Sequence, residues 1–315
     1  MRAATIRDQQ IVIEQHPDPE PGRGEVLVRV RAAGLNGADM MQRRGLYPAP
    51  PGSPQDIPGM ELAGEVAALG PHPPGVERFQ EGARVMAIVG GGAQAELCLV
   101  PERTLMPVPD TLDWAEAGGL PEVFTTAHDA IFTQGELRAG ERLLVHGGAG
   151  GVGTAAIQLG CAAGARVTAT VRNEGQREAV AELGARVIAP EGFAEHGPFD
   201  VILELVGAPN MPDNLAALDT GGRVSVIGVG AGAKSELNLL ALMGKRARIH
   251  GSTLRARSLE DKALAARRVE REVLPQFDSG ALRVPLADTF PLDRAAAAYE
   301  RFAAGGKLGK IVLTI

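Results

Sequence analysis

Aromatic side chains are scarce: one Trp, two Tyr and eight Phe in 315 residues. Cores built on large rings are therefore excluded, and any core must come from Ala, Val, Leu and Ile. The 45% hydrophobic content supplies enough of them for sizeable cores. Cysteine is scarcer still. Cys98 and Cys161 are the only two and lie far apart, which excludes a disulfide framework and a CxxC cluster. A reducing, intracellular setting fits that usage. No run of about 18 apolar residues occurs, so no membrane-spanning helix is expected. The opening Met1-Arg2-Ala3-Ala4-Thr5-Ile6 reads as a strand, followed at once by Arg7 and Asp8, and not as a signal peptide. Cytoplasm is the expected location. Excess positive charge is also lacking. The net charge is −6 and no long like-charged block exists, which argues against a nucleic-acid partner.

What is present divides the chain in two. A prior of about 100–200 residues per domain suggests two domains for this length. Residues 24–33 alternate as a strand, with Val26, Val28 and Val30 on one face. Residues 64–69 and 83–89 read similarly, and Pro17, Pro19, Pro21, Pro48, Pro50, Pro51, Pro54 and Pro58 punctuate the loops. This third predicts a small, irregular β-barrel. From Glu141 onward the texture changes. Strands are predicted at 142–146, 166–171, 186–189, 201–206, 223–229 and 248–254. Helices are predicted at 152–163, 176–183 and 214–218. Such alternation implies a parallel sheet covered on both faces. A charged helix at 259–273 and a mixed tail with a last strand at 310–315 follow. The simplest architecture inserts the α/β domain, residues 119–255, into a β-rich domain made of 1–118 and 256–315.

The sharpest motif is His146-Gly147-Gly148-Ala149-Gly150-Gly151-Val152-Gly153. Gly148, Gly150 and Gly153 satisfy GxGxxG. That pattern means little alone among 41 glycines. Here a strand precedes it, a helix follows, and a second strand arrives at the expected distance, which is the context of a dinucleotide-binding Rossmann unit. Residues without Cβ let the backbone approach a pyrophosphate, and the helix N-terminus offers N–H groups and a positive dipole end. The alternative is a plain β–turn–α junction without a ligand. An NAD-binding unit carries an Asp or Glu about 20 residues further on to take the ribose 2′-hydroxyl. Here the second strand runs into Thr170-Val171-Arg172-Asn173, without a carboxylate. Arg172 is placed to meet a 2′-phosphate with charge-assisted donors, and Asn173 and Arg177 can add contacts, so NADPH is the expected cofactor. Two alternatives stay open: Glu174 can turn toward a 2′-hydroxyl, and Arg172 can be a solvated strand-end arginine.

The chain resembles the zinc-independent quinone oxidoreductases of the medium-chain dehydrogenase/reductase superfamily, most closely the p53-inducible quinone oxidoreductase type. The resemblance spans nearly the whole chain. It rests on Ala32-Ala33-Gly34-Leu35-Asn36-Gly37-Ala38-Asp39, Gln42-Arg43-Arg44-Gly45-Leu46-Tyr47 and Pro58-Gly59-Met60-Glu61. It continues in Thr125-Thr126-Ala127, the glycine loop, Gly251-Ser252-Thr253-Leu254-Arg255-Ala256-Arg257 and Gly309-Lys310-Ile311-Val312-Leu313. It implies an α/β fold in which a GroES-like β-rich catalytic domain carries an inserted, doubly wound Rossmann domain, with a cleft between them and a homodimer or homotetramer joined through the Rossmann sheets. Carried over, Asn36, Asp39 and Tyr47 line the nicotinamide or substrate cleft. Thr126, Gly150, Gly151 and Val152 touch the cofactor, with Val229 and Ser252 near it. The zinc-dependent alcohol dehydrogenases of the superfamily carry a cysteine in the 34–39 segment, a Gly-His-Glu motif and a four-cysteine lobe. Here the first is absent, the second reads Gly59-Met60-Glu61 and the lobe is missing. No metal site is expected.

The implied reaction needs little acid–base machinery, since the cofactor carries the redox step. Asn36 can hold the nicotinamide side or a substrate oxygen, or simply support a turn. Asp39 can orient Asn36 or a backbone amide, cap a helix, or be a surface carboxylate. Tyr47 can donate a proton, as a tyrosine in the matching Gly-x-Tyr segment of related enoyl reductases is proposed to do, or can shape the cleft. Arg255 and Arg257 can meet a ligand phosphate or be exposed arginines. His146 reads as a packed strand-end histidine, and Cys161 as a small core residue. Glu122 and His128 flank Thr125-Thr126 but do not by themselves make an acid–base pair. Three functions are consistent with these residues: an NADPH-dependent quinone reductase, an enone or 2-enoyl thioester reductase, and an NADPH-binding sensor or structural protein with little turnover.

Overall fold

The computed structural model describes residues 1–71 and 78–315. The chain forms two compact units, Met1–Thr125 with Leu254–Ile315, and Thr126–Thr253.

In the discontinuous unit, the strand Glu25–Gly34 is the hub of a seven-stranded sheet. It pairs antiparallel with Glu61–Leu69, Leu97–Pro101 and the late strand Lys310–Thr314. Its alternation holds: Val26, Val28 and Val30 are buried together with Leu62, Val66, Val85 and Val100, while Arg29 faces solvent. Lys310–Thr314 also pairs in parallel with Leu286–Pro291. The register Val312 to Gly34 brings the far end of the sequence beside residues 34–36. A second cluster packs Leu35 and Met40 with Tyr299, Ile311 and Leu313.

The contiguous unit is a six-stranded sheet whose pairings are all parallel. In spatial order the strands are Arg186–Ile188, Arg166–Thr170, Arg142–Val145, Phe199–Glu204, Leu218–Val226 and Arg248–Gly251. Numbered within the unit this is 3-2-1-4-5-6, the order of a doubly wound dinucleotide-binding fold. Its order reverses between Arg142–Val145 and Phe199–Glu204, where such folds bind ligands.

Three differences from the sequence reading have local causes. The fifth strand starts at Leu218 rather than 223 and stops at Val226. Gly221 and Gly222 look like a turn but lie inside the strand, and the ladder closes when the Ile227 and Gly228 N–H groups both reach the Glu204 carbonyl. The sixth strand stops at Gly251, and Leu254 is buried in the discontinuous unit. The units divide after Thr125 and Thr253, whereas the sequence reading placed boundaries after 118 and 255. Phe124 stacks edge-on against Phe277, with centroids 4.9 Å apart, which ties the first half of the helix Pro121–His128 to the discontinuous unit.

Candidate active site

In the contiguous unit, the glycine loop joins Arg142–Val145 to the helix Gly151–Ala162. Gly147 sits in the left-handed region, at φ +65°. A Cβ on Gly153 would lie 2.4 Å from the Gly147 carbonyl oxygen, and one on Gly148 would lie 2.9 Å from the Ala169 methyl. Both positions therefore require glycine for the helix to seat on the turn. Gly150 is different: a Cβ there would meet only the Gly147 oxygen, at 3.5 Å. The space over Gly150 is open, as a cradle for a ligand needs. Gly150 caps the helix, so the N–H groups of Gly151, Val152 and Gly153 have no acceptor within it. A backbone with free first-turn donors, a positive dipole end and no side chain in the way suits a pyrophosphate.

The remaining cofactor candidates of this unit gather past the carboxyl ends of the same sheet. Arg172 and Asn173, both exposed, follow Arg166–Thr170. The Asn173 side-chain oxygen accepts the Gly175 N–H at 3.1 Å. Arg177 Nε donates to the Val171 carbonyl at 3.2 Å, and its Nη1 lies 3.6 Å from the exposed Glu174 carboxylate. Val229 follows the fifth strand and is exposed. Ser252 follows the sixth strand and its hydroxyl donates to Asp129 at 3.3 Å. Thr126 is buried on the helix Pro121–His128.

Beneath the loop lies a buried polar network the sequence reading did not foresee. The Glu204 carboxylate accepts the Val206 and Gly207 N–H groups at 2.6 and 2.8 Å and the Asn214 amide at 2.6 Å. The Asn214 oxygen lies 2.8 Å from His146 Nε2, and His146 Nδ1 lies 3.1 Å from Thr170 Oγ1. Thr170 Oγ1 in turn accepts the Gly147 N–H at 3.3 Å. Burial pushes the His146 pKa down, opposed by Glu204 and the Asn214 bond. A neutral, fully buried histidine agrees with its reading as packed.

In the discontinuous unit, Asn36 and Asp39 meet at the start of one short helix, Gly37–Arg43, and Tyr47 lies beyond its end. Asn36 is its N-cap. The Asp39 carboxylate, fully buried at the third helical position, accepts the Asn36 N–H at 2.8 Å and the Gly59 N–H at 3.1 Å. Asp39 is thus a helix-start residue that orients Asn36, and its reading as a surface carboxylate is corrected. Burial raises its pKa to about 6 against those two bonds and the pull of Lys310 and Arg255.

The Asn36 side chain is held at both ends. Nδ2 donates to Glu61 Oε1 at 2.8 Å, and Oδ1 accepts from Lys310 Nζ at 2.8 Å. Lys310 also reaches Glu61 Oε1 at 2.6 Å and the Leu35 carbonyl at 2.8 Å, using all three of its donors. The second Glu61 oxygen accepts the Glu122 N–H at 2.8 Å. Sequence reading missed Glu61 and Lys310 as a pair. The available signal was a charge opening each of two apolar strands, since a buried charge requires a partner.

Arg255, read as a possible phosphate contact or exposed arginine, is neither free nor exposed. Its three nitrogens donate to the Gly90 carbonyl at 2.8 Å, the Tyr47 carbonyl at 3.1 Å and Gln42 Oε1 at 2.5 Å. Its guanidinium also lies 5.2 Å from the Tyr47 ring centroid. Arg255 therefore anchors the Tyr47 loop. Burial raises the phenol pKa, with the Arg255 charge opposing, so the half-buried Tyr47 holds its proton at neutral pH.

Residues 22–110 match the alcohol dehydrogenase GroES-like domain, and residues 151–269 match the zinc-binding dehydrogenase domain. The chain is 32% identical over 310 residues to the quinone oxidoreductase of Rattus norvegicus, covering 94% of this chain and 91% of the rat protein. It belongs to the quinone oxidoreductase family of the medium-chain dehydrogenases/reductases. The family makes it an oxidoreductase with a GroES-like and a Rossmann-like domain. An alcohol dehydrogenase superfamily protein from Novosphingobium aromaticivorans superposes with a TM-score of 0.89 at 30% identity, covering 100% of this chain and 99% of that one. A mycobacterial protein solved in complex with NADPH superposes with a TM-score of 0.87 at 26% identity over the full length of both.

The 34–39 segment holds no cysteine, and Met60 stands between Gly59 and Glu61. Among the described residues no three His, Cys, Asp or Glu side chains converge on a common point. His72 lies outside the described residues. No helix among them is long and apolar enough to cross a membrane.

Proposed function

We propose that this chain is an NADPH-dependent, zinc-free reductase acting on a quinone or a related conjugated carbonyl. The open glycine cradle of Gly148–Gly153 carries the reading: backbone donors, the N-terminus of a twelve-residue helix and an absent side chain coincide there at the carboxyl end of a parallel strand. Gly150, Gly151 and Val152 hold the pyrophosphate, with Thr126, Val229 and Ser252 around the cofactor. Arg172, helped by Asn173 and Arg177, takes the 2′-phosphate. When bound, the dihydronicotinamide supplies a hydride. Asn36 and Asp39 act as positioning groups, because Asp39 is closed off from solvent and both ends of the Asn36 amide are engaged. Tyr47 holds a proton at its phenol oxygen and offers it to the acceptor. That protonated phenol favours a second reading, reduction of an enone or 2-enoyl thioester, in which carbon must be protonated.

Association with a second copy of the chain is supported on the contiguous unit. Its sheet ends on Arg248–Gly251, paired on one side only, and the neighbouring helix Leu239–Lys245 exposes Leu239, Leu240 and Met243 at 66–79%. A cytoplasmic homodimer or homotetramer is the corresponding assembly.

The test compares kcat/KM for NADPH and NADH, with quinone, enone and enoyl-thioester acceptors, in wild type and Arg172→Ala. NADPH is expected to be preferred, and the variant should lose NADPH efficiency while NADH efficiency barely changes. An NADH preference in wild type, or equal losses, overturns the cofactor assignment. Tight NADPH binding without turnover on any acceptor identifies a sensor instead. Near-stoichiometric zinc surviving chelator dialysis overturns the zinc-free assignment.

A further inference from the structure

We propose that Glu204, Asn214, His146 and Thr170 form a buried positioning chain that holds the glycine loop in its ligand-binding shape. This rests on the proposed function only in taking the loop's ligand to be a dinucleotide.

The order of protons along the chain follows from its ends. At one end, Glu204 takes the Asn214 Nδ2 hydrogen, which turns the Asn214 oxygen toward His146. That oxygen can only accept, so His146 Nε2 must carry the ring proton. A neutral imidazole then has a bare Nδ1, which accepts the Thr170 hydroxyl hydrogen. At the other end, the Gly147 N–H can only donate, and Thr170 Oγ1 receives it. Every member therefore points its proton the same way, from Gly147 to Glu204. The opposite tautomer would set the Asn214 oxygen 2.8 Å from a bare nitrogen, two acceptors in contact. Phe193, edge-on to the imidazole with centroids 4.5 Å apart, walls the ring in.

What the chain holds is the pivot of the loop. Gly147 has φ +65°, its carbonyl accepts the Gly150 N–H at 3.0 Å, and that same oxygen is the atom against which Gly153 is packed. Fixing Gly147 fixes the helix cap and the direction of the first-turn N–H groups. The chain also ties together three strand ends, those of Arg142–Val145, Arg166–Thr170 and Phe199–Glu204. Low local dielectric strengthens each bond and makes an unpaired member costly, so the loop is set by an all-or-none network.

The test uses the intact protein with Thr170→Val, which keeps the shape and removes the hydroxyl, and Thr170→Ser, which restores it. In wild type, imidazole 15N shifts should place the His146 proton on Nε2. Thr170→Val should raise the NADPH dissociation constant roughly ten-fold, as expected for a partly buried N–H left without its acceptor. It should leave kcat at saturating cofactor unchanged and speed hydrogen exchange at the Gly147 amide, and Thr170→Ser should reverse both effects. A proton on Nδ1, measurable even if the valine variant does not fold, overturns the proposal. So does a valine variant with unchanged Gly147 exchange, or with an unchanged dissociation constant. If wild type binds neither NADPH nor NADH while the tautomer and the exchange results are as expected, the positioning chain stands and the dinucleotide reading falls.

Discussion

Lys310 and Glu61, 249 residues apart, meet at 2.6 Å with both charges shut away from solvent. Desolvation makes such a pair a weak net stabiliser, but removing one partner strands the other. Lys310→Met should therefore lower the unfolding free energy by about 3–5 kcal/mol. Glu61→Gln should destabilise as well, and the double variant should recover part of the loss because no lone charge remains. Urea titration of the three proteins checks this. A Lys310→Met loss below about 1 kcal/mol, the range of an exposed pair, would contradict it.

Asp39 predicts a pH effect on stability. Its folded pKa, about 6, lies above the ordinary 3.8, so the folded state binds a proton that the unfolded state releases. Between those values stability contributed by this group rises as pH falls. Above about pH 6 the ionised carboxylate is a standing penalty of on the order of 3 kcal/mol, and below 3.8 the penalty is gone. Wild type measured against Asp39→Asn should thus gain relative stability between pH 7.5 and pH 4.5. Parallel urea midpoints at the two pH values refute the shift.

Tyr47 separates the two candidate reactions. With an enone or enoyl thioester, Tyr47→Phe should lower kcat by roughly the 10²–10⁴-fold typical of a lost acid catalyst. A quinone oxygen can take its proton from water, so the loss there should be smaller. Arg255→Ala releases the Tyr47 and Gly90 carbonyls and should weaken acceptor binding without abolishing the proton transfer. Rates unchanged with every acceptor in Tyr47→Phe reduce the tyrosine to packing.

The exposed helix Leu239–Lys245 predicts an association constant that depends on its side chains. Leu240→Glu with Met243→Glu should shift sedimentation toward a single copy while leaving the melting temperature of a dilute sample nearly unchanged. An unaltered sedimentation profile rules this surface out as the contact.

Legibility in the sequence followed the range of the interaction. The glycine loop could be read because Gly153 is packed on Gly147 and Gly148 within a few residues, and Ala169, which excludes a Cβ on Gly148, lies on the very next strand. The core face of Val26, Val28 and Val30 could be read because a strand repeats every two residues. Asp39 stayed undecided because the groups that hold its carboxylate, the Gly59 N–H and the Lys310 and Arg255 charges, lie 20 or more residues along the chain. Arg255 looked like a surface arginine for the same reason: its partners Gln42, Tyr47 and Gly90 lie more than 160 residues away. His146 was recognised as packed, but its partners Asn214 and Glu204 were not, since nothing local marks which polar residues will meet under a sheet.

The late strand Lys310–Thr314 has a consequence for biogenesis. Leu35 leaves the ribosome 275 residues before the lysine that will hold its carbonyl. At roughly 5–20 residues per second this is a wait on the order of tens of seconds. Throughout it the Gly34 end of the hub strand is an open edge, and Glu61 is an ion without its counter-charge. Residues 126–253 are complete well inside that interval. The middle of the chain can therefore fold before its beginning, and a translation product halted short of Lys310 would present chaperones and proteases with a finished parallel sheet and an unclosed antiparallel one.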